Sequence, residues 1–143
     1  IDRSKWDAAT AAGARQTIDP KEPDAGRTLV RATNGGPTAV IDFVGAAASF
    51  TFGFNAVRKG GRVIVVGLFG GAAELAVPLI PLKNVTVMGS YVGSLVDMGE
   101  LMALALSGKV PMLPVATRPL AEVDSVLAAL KAGKIVGRTV VTT

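Results

Sequence analysis

The chain has 143 residues, of which 50% are hydrophobic, and a mean hydropathy of +0.47. This is long enough for one domain with a hydrophobic core and too apolar for a disordered chain. The net charge of +4 comes from scattered basic residues without interleaved aromatics, which argues against nucleic-acid binding, and no apolar run approaches the roughly 18 residues of a membrane helix. The absence of cysteine and histidine excludes disulfides, thiolate chemistry and the usual zinc ligands within this chain.

The amino-terminal segment predicts a helix followed by a short strand. Residues 4–14 are rich in alanine, and we expect a helix with Ser4 as its N-cap and Gly13 at its carboxyl end. Residues 16–18 then predict a brief strand. A second helix is expected over residues 24–34, with glycines directly after it.

The middle of the chain predicts a strand, a helix and a second strand. Residues 38–44 are a strand candidate, and residues 46–59 follow as a helix with aromatic and aliphatic side chains at helical spacing. Those side chains are Phe50, Phe54 and Val57. Residues 62–67 (RVIVVG) are almost continuously β-branched, as in a parallel strand buried on both faces. We therefore place this strand at the centre of the sheet.

The last part of the chain continues the alternation less regularly. Residues 74–79 and 84–90 are strand candidates joined by an irregular, proline-containing connection. Helices are expected over residues 95–107 and 120–132, each ended by a glycine, with a proline-rich extended piece over residues 110–119 between them. Arg138 to Thr142 predicts a terminal strand.

Strands that alternate with helices predict an α/β fold around a parallel sheet. Ligands in such sheets bind beyond the carboxyl ends of the strands. Residues 43–45, 66–68 and 89–92 follow those ends and are the first candidates for a site.

The glycine-rich phosphate turn of a dinucleotide-binding sheet, G-x-G-x-x-G, does not occur in this sequence. Residues 67–71 (GLFGG) have the wrong spacing. A glycine-rich exit from a buried strand explains them better than a phosphate loop does.

Several segments, in their order and spacing, resemble the medium-chain, zinc-type alcohol dehydrogenases over essentially the whole chain. The matching segments are residues 1–5 (IDRSK), 12–14 (AGA), 40–45 (VIDFVG), 58–67 (RKGGRVIVVG), 89–94 (GSYVGS) and 132–141 (AGKIVGRTVV). The resemblance implies a Rossmann-like parallel sheet flanked by helices that lacks its first strand and the glycine-rich phosphate turn. It also implies that residues 1–143 are a partial dinucleotide-binding domain with a carboxyl-terminal helix and strand, and that the substrate and zinc domain is absent.

The resemblance further implies a set of cofactor-binding positions, while each position keeps an alternative. Ile1 would line the adenine site, Arg3 and Lys5 would lie beside the adenosine ribose, and Arg138 would pair with the pyrophosphate. Along the strand ends the implied cofactor contacts are Phe43, Val44, Val66, Gly67, Leu68, Ser90 and Val92. Alternatively, Arg3 and Lys5 are ordinary exposed residues of a first helical turn, and Val66 and Val92 are core residues.

Asp42 lies within an apolar strand, where a carboxylate suggests a catalytic group. A hydrogen-bonded structural role at a strand end explains it better.

The implied activity is transfer of hydride between an alcohol and NAD, with the aldehyde or ketone as the oxidised substrate. Zinc is expected only outside this chain, no catalytic residue is assigned within it, and NAD is expected rather than NADP. Two alternatives stay open: a zinc-free quinone or enoyl reductase of the same superfamily that uses NADPH, and a Rossmann-like binding module without turnover. We also expect a cytoplasmic protein without nucleic-acid or membrane partners. It is expected to form a homo-oligomer, specifically a two-fold dimer, through the sheet edge at residues 74–79 and 84–90.

Overall fold

The computed structural model describes residues 3–111 and 113–143. They form two compact units. The sheet unit is Ile18–Val92, and the terminal unit combines Ile1–Thr17 with Gly93–Thr143. Within the described part of the chain, helices are too short or too polar to cross a membrane.

The elements follow one another in a regular alternation over most of the chain. The helices are α1 (Trp6–Ala11), α2 (Ala25–Ala32), α3 (Ala47–Ala56), α4 (Leu79–Lys83), α5 (Leu95–Leu106) and α6 (Val123–Lys131). The strands are β1 (Ala39–Asp42), β2 (Arg62–Val65), β3 (Thr86–Gly89), β4 (Val115–Pro119) and β5 (Arg138–Thr142). Short 3₁₀ turns cover Arg3–Lys5 and Leu120–Glu122.

The sheet unit is built on three parallel strands in the order β1-β2-β3. Val63 pairs with Val40 on one side and with Val87 on the other, and its side chain is fully buried. The β-branched run of β2 is thus the central strand, as its composition predicts. The parallel register brings the carboxyl ends of all three strands to one edge.

Helix α3 and the residue after its carboxyl end pack against this sheet. Phe54 and Val57 pack with Val63 and Val85, and each of these four side chains is buried. The Phe50 ring stacks on Phe54 at a centroid distance of 5.9 Å. The predicted helical spacing holds for Phe50 and Phe54, but α3 ends at Ala56, before the predicted residue 59, and Val57 enters the core from an extended position.

Lys83, at the end of α4, closes the carboxyl end of α3. Its ammonium donates to the carbonyl oxygens of Phe54 at 2.6 Å and Asn55 at 3.1 Å, and it lies 5.2 Å from the centre of the Phe54 ring. A cation at this helix end satisfies carbonyls that have no partner within the helix. Partial burial lowers the pKa of Lys83 because it disfavours the charged form.

The terminal unit contains a parallel pair of strands, β4 and β5, that pairs Val115 with Arg138 and Pro119 with Thr142. Helix α5 begins at Ser94 with a reciprocal cap. Asp97 N–H donates to Ser94 Oγ at 3.2 Å, and Asp97 Oδ2 accepts from Ser94 N–H and Ser94 Oγ–H, both at 2.7 Å. These hydrogen bonds lower the pKa of Asp97 because they favour its charged form.

Four sequence expectations need correction. Ser4 lies inside the first 3₁₀ turn, and the N-cap of α1 is Lys5. Residues 16–18 join no ladder within the described chain, and a strand exists only through such pairing. Residues 74–78 are irregular and Leu79 begins α4, since turn bonds such as Leu79 N–H to Ala76 O (2.9 Å) lead into a helix instead of a strand. The extended piece over residues 110–119 contains strand β4. Hydrophobic periodicity does not reveal this strand, because it is defined by its pairing with β5.

Candidate functional site

The carboxyl edge of the three-stranded sheet begins with a buried carboxylate. Asp42, the last residue of β1, is 5% exposed. Its Oδ1 accepts from the N–H groups of Val44 and Gly45, both at 3.0 Å, and its Oδ2 accepts from Ser49 Oγ at 2.9 Å. These bonds join the end of β1 to the first turn of α3. The structural role predicted for Asp42 is confirmed, because both of its carboxylate oxygens accept hydrogen bonds from the turn between β1 and α3.

The main chains that leave β1 and β2 approach each other as closely as glycine allows. A Cβ atom on Gly67 would overlap the backbone of Val44, and one on Gly45 would overlap the backbone of Gly67. Gly45 also has φ +69°, which side chains rarely adopt. The ladder continues here, with Phe69 N–H donating to Val44 O at 3.0 Å. The two glycines therefore allow the segments after β1 and β2 to pack backbone against backbone.

The candidate residues of the strand ends all lie at this edge. Four of them are largely exposed and two are half-buried, and Ser90 is exposed with its N–H donating to Val65 O at 2.9 Å. The exposed side chains are Phe43 (74%), Val44 (52%), Leu68 (79%) and Val92 (79%), and the half-buried residues are Val66 and Gly67. Val92 is therefore not the core residue that one alternative assigned.

The terminal unit forms a groove that brings two predicted site residues together. Lys5 and Arg138 both line it, and it encloses about 560 Å³. Its walls are otherwise small or apolar: Ala8, Ala9, Ala11, Ala12, Leu113, Pro114, Leu130, Ile135, Val136 and Gly137. Among the described residues that line this cationic groove, two are basic and none is acidic. The groove thus offers two positive charges above an apolar floor.

Backbone contacts between β5 and the segment before β4 fix the position of Arg138. Its N–H donates to Pro114 O at 2.8 Å. Gly137 has φ +79°, and a Cβ atom there would overlap Pro114 O. Only glycine fits this close approach. The Arg138 side chain therefore leaves a rigid strand start and remains exposed.

The remaining amino-terminal candidates are placed differently. Arg3 lies in the first 3₁₀ turn, with its guanidinium 5.2 Å from the centre of the Trp6 ring, and is not among the residues that line the cationic groove. Ile1 lies outside the described residues. The structure thus gathers Lys5 with Arg138, and separately gathers the strand-end residues.

A zinc ion does not fit the donor groups of this chain. The sequence has no cysteine or histidine, and the described residues contain no cluster of three acidic side chains that could hold a metal. Zinc in proteins is bound mainly by thiolates and imidazoles, with carboxylates in mixed sets. No chemical step can be assigned to a metal held by these residues.

A protein-family comparison identifies the chain. Residues 1–107 match the family model described as zinc-binding dehydrogenase. The chain belongs to the zinc-binding dehydrogenase family. Its resemblance to medium-chain, zinc-type alcohol dehydrogenases is confirmed, and so is the α/β, Rossmann-like fold.

Individual relatives agree with this assignment. The chain is 35% identical over 135 residues to an NAD-dependent alcohol dehydrogenase of Sulfurisphaera tokodaii, which covers 94% of this chain and 39% of the relative. The alcohol dehydrogenase structure from Aeropyrum pernix superimposes with a TM-score of 0.87 at 32% identity, covering 100% of this chain and 41% of that one. A quinone oxidoreductase structure from Pseudomonas syringae shares the fold, with a TM-score of 0.79 at 22% identity over 99% of this chain and 47% of that one. The chain thus spans about two-fifths of the length of its alcohol dehydrogenase relatives.

Sequence reasoning missed two features of these sites. Ser49, which donates to Asp42, follows it by seven residues, and no motif announces the pair. The apolar walls of the cationic groove come from segments far apart in sequence, around residues 113–114, 130 and 135–136. The closest available signal was the glycine before Arg138, which marks a close backbone approach.

Proposed function

We propose that this chain supplies the NAD-binding portion of an alcohol dehydrogenase that transfers hydride between an alcohol and the nicotinamide ring. The observation that carries the proposal is the cationic groove, where Lys5 and Arg138 face one space over an apolar floor. Two cations without a lining carboxylate suit a phosphorylated ligand with an apolar part. The dinucleotide has both features in its pyrophosphate and adenosine.

The two basic residues would have different tasks. The planar guanidinium of Arg138 can donate two parallel hydrogen bonds to phosphate oxygens, and its rigid strand start reduces the cost of ordering it. The ammonium of Lys5 is a compact charge at the start of α1 and would lie beside the ribose. Arg3 would assist only through its general positive charge, because its guanidinium stacks on Trp6.

The carboxyl edge of the sheet would hold the nicotinamide end. Phe43 and Leu68 expose apolar surface at this edge that would exclude water around the ring. Val66, Ser90 and Val92 would contact it mainly through backbone groups. When bound, the nicotinamide supplies the carbon that accepts or gives up hydride, and the residues of this chain orient it.

Proton transfer and activation of the alcohol would fall to groups outside this chain. Neither cysteine nor histidine is present, so the residues named above bind and orient only. The substrate, an alcohol with its aldehyde or ketone, and any zinc would be handled by other parts of the full-length protein. We also propose that the full-length protein is cytoplasmic.

A titration of the full-length protein with NADH, followed by nucleotide fluorescence, tests the proposal. Arg138→Ala should weaken binding by tenfold or more, since about 1.4 kcal/mol is a modest value for a charge-assisted phosphate contact. Lys5→Ala should weaken it by about threefold to tenfold. Lys134→Ala removes a nearby charge that does not line the cationic groove and should change the affinity by less than about twofold.

Equal losses of NADH affinity for Arg138→Ala and Lys134→Ala would contradict the proposal. They would indicate that net positive charge, and not a position in the cationic groove, determines binding. Absence of any nucleotide binding would favour a different ligand altogether.

A zinc-free quinone or enoyl reductase that uses NADPH is the second candidate function, supported by the fold it shares with a quinone oxidoreductase. Oxidation of simple alcohols by the full-length protein distinguishes the two. Reduction of a quinone or an activated double bond without alcohol oxidation would favour the reductase. Nucleotide binding with neither reaction would favour a binding module.

We also propose a two-fold dimer through the exposed edge of the sheet. β3 is an edge strand within the described residues, and Val87 and Met88 are 42% and 46% exposed. Pairing of β3 with its symmetry copy would satisfy open backbone groups and cover these side chains. Sedimentation should show a dimer, and a monomer at high protein concentration would contradict this.

A further inference from the structure

Helices α2 and α3 form a groove that belongs to none of the sites described above. It lies wholly within the sheet unit and encloses about 480 Å³, a volume in the range of pockets that hold small molecules. The described residues that line this α2–α3 groove are Gly26, Arg27, Val30, Arg31, Phe52, Asn55 and Ala56. None of them lines the cationic groove or follows a strand of the sheet. The α2–α3 groove is therefore separate from the proposed cofactor site.

The floor of the α2–α3 groove is apolar and has unfilled space. Phe52 and Ala56 lie one helical turn apart on α3, on a different face from the core residues Phe50 and Phe54. Phe52 is half-buried, as is Val30 on the α2 side. Beside them, a Cβ atom on Gly26 would meet no atom within 4 Å outside its own turn of helix. A hydrocarbon chain could occupy this space and cover apolar surface that now contacts water.

The rim of the α2–α3 groove carries one positive charge that no carboxylate balances. Arg27 and Arg31 lie one turn apart on α2, and among the described lining residues none is acidic. Arg27 Nε donates to Asp24 Oδ1 at 3.0 Å, so a carboxylate outside the lining already shares the charge of this arginine. Arg31 is exposed and forms no ion pair within the described part of the chain. Two arginines and one aspartate leave a net charge of one positive unit at this rim.

We propose that the α2–α3 groove binds an amphipathic monocarboxylate, an aliphatic chain that ends in a single carboxylate. The guanidinium of Arg31 would donate to the carboxylate, and the chain would lie along Phe52 and Val30. Asn55, on the opposite helix, offers a side-chain amide as a further donor. A ligand with several negative charges matches the rim less well, because only one positive charge is unbalanced. This site does not depend on the proposed NAD-binding function.

Hydrogen exchange of the full-length protein at increasing decanoate concentrations tests the proposal. Peptides that cover α2 and α3 report a Kd that is local to the α2–α3 groove, even if decanoate also binds elsewhere. Arg31→Gln should raise this Kd by about tenfold, because the carboxylate loses its charge-assisted partner. The matched control is Arg58→Gln, which removes an exposed arginine of the same unit that does not line the groove, and it should change the Kd by less than about twofold. Methyl decanoate, which has no charge, should protect these peptides at least about fivefold more weakly than decanoate.

Gly26→Leu tests the apolar part of the site separately. The leucine side chain would enter the open space without backbone strain, and leucine favours a helix more than glycine does, so Tm should not fall. The Kd for decanoate should nevertheless rise by about fivefold or more, because the space is filled. Asp24→Asn frees Arg27 and should leave decanoate binding as tight or tighter.

Three results would overturn the inference: a decanoate Kd at α2 and α3 that Arg31→Gln and Gly26→Leu both leave unchanged, equal protection by methyl decanoate, or no protection of these helices by decanoate at all. Titration of the same Arg31→Gln protein with NADH should give an unchanged affinity. Failure of NADH to bind the unsubstituted protein would refute the proposed function and would leave the decanoate result unaffected.

Discussion

Removal of the Asp42 carboxylate tests how the carboxyl edge of the sheet is built. In Asp42→Ala the N–H groups of Val44 and Gly45 lose their acceptor, and Ser49 Oγ loses its carboxylate partner. Ser49 retains the Ala46 carbonyl as an acceptor at 3.0 Å. The two backbone N–H groups left without an acceptor therefore determine how much the free energy of unfolding falls.

The expected cost follows from those two amides. Each hydrogen bond to a charged acceptor contributes about 1.5–3 kcal/mol, and partial exposure of this turn lets water recover some of it. We expect Asp42→Ala to lower the free energy of unfolding by about 2–4 kcal/mol. In Asp42→Asn the amide oxygen still accepts from both N–H groups and the new NH₂ can donate to Ser49 Oγ, so the loss should be about 1 kcal/mol.

Urea unfolding followed by circular dichroism measures the free energy of unfolding, and hydrogen exchange of peptides that cover residues 39–54 measures the local effect. Exchange in Asp42→Ala should accelerate in this segment more than in β4 and β5. A loss below about 0.5 kcal/mol for Asp42→Ala would refute the reasoning. An Asp42→Asn loss as large as that of Asp42→Ala would show that charge, not acceptor geometry, matters.

Three further predictions concern pH, metal and cofactor. Hydrogen bonds from Ser94 lower the pKa of Asp97 in the folded state. The cap of α5 therefore contributes fully to the free energy of unfolding above the unfolded pKa of about 4, and this contribution is lost as the pH falls through the lower, folded value. Asp97→Asn should make stability less dependent on pH in this range, and an unchanged acid-unfolding profile would contradict the prediction. After dialysis, metal analysis of this 143-residue chain should find no stoichiometric zinc, and one tightly bound zinc per chain would refute that expectation. The full-length protein should prefer NAD over NADP, because the family resemblance implies that the segment containing Asp2 lies by the adenosine ribose, where a carboxylate disfavours an extra phosphate; a tenfold preference for NADP in kcat/KM, about 1.4 kcal/mol, would overturn this.

The amino-acid sequence by itself determined the elements whose signals are local. The β-branched run of residues 62–67 identified the central strand, because a strand buried between two neighbours needs apolar side chains on both faces. The spacing of Phe50 and Phe54 identified the core face of α3 for a similar reason, whereas Val57 is buried from the extended position that follows the helix. The order of family-like segments also sufficed to identify the family.

Only the tertiary structure decided what depends on pairing between distant segments. Residues 74–79 have a strand-like composition, but local turn bonds and Pro78 direct them into α4. The extended piece near Pro114 becomes a strand because β5 pairs with it, and only the tertiary structure brings Arg138 of β5 into one groove with Lys5. The left-handed backbone of Val92, with φ +49°, is likewise invisible in sequence, since the local preference of valine is the opposite.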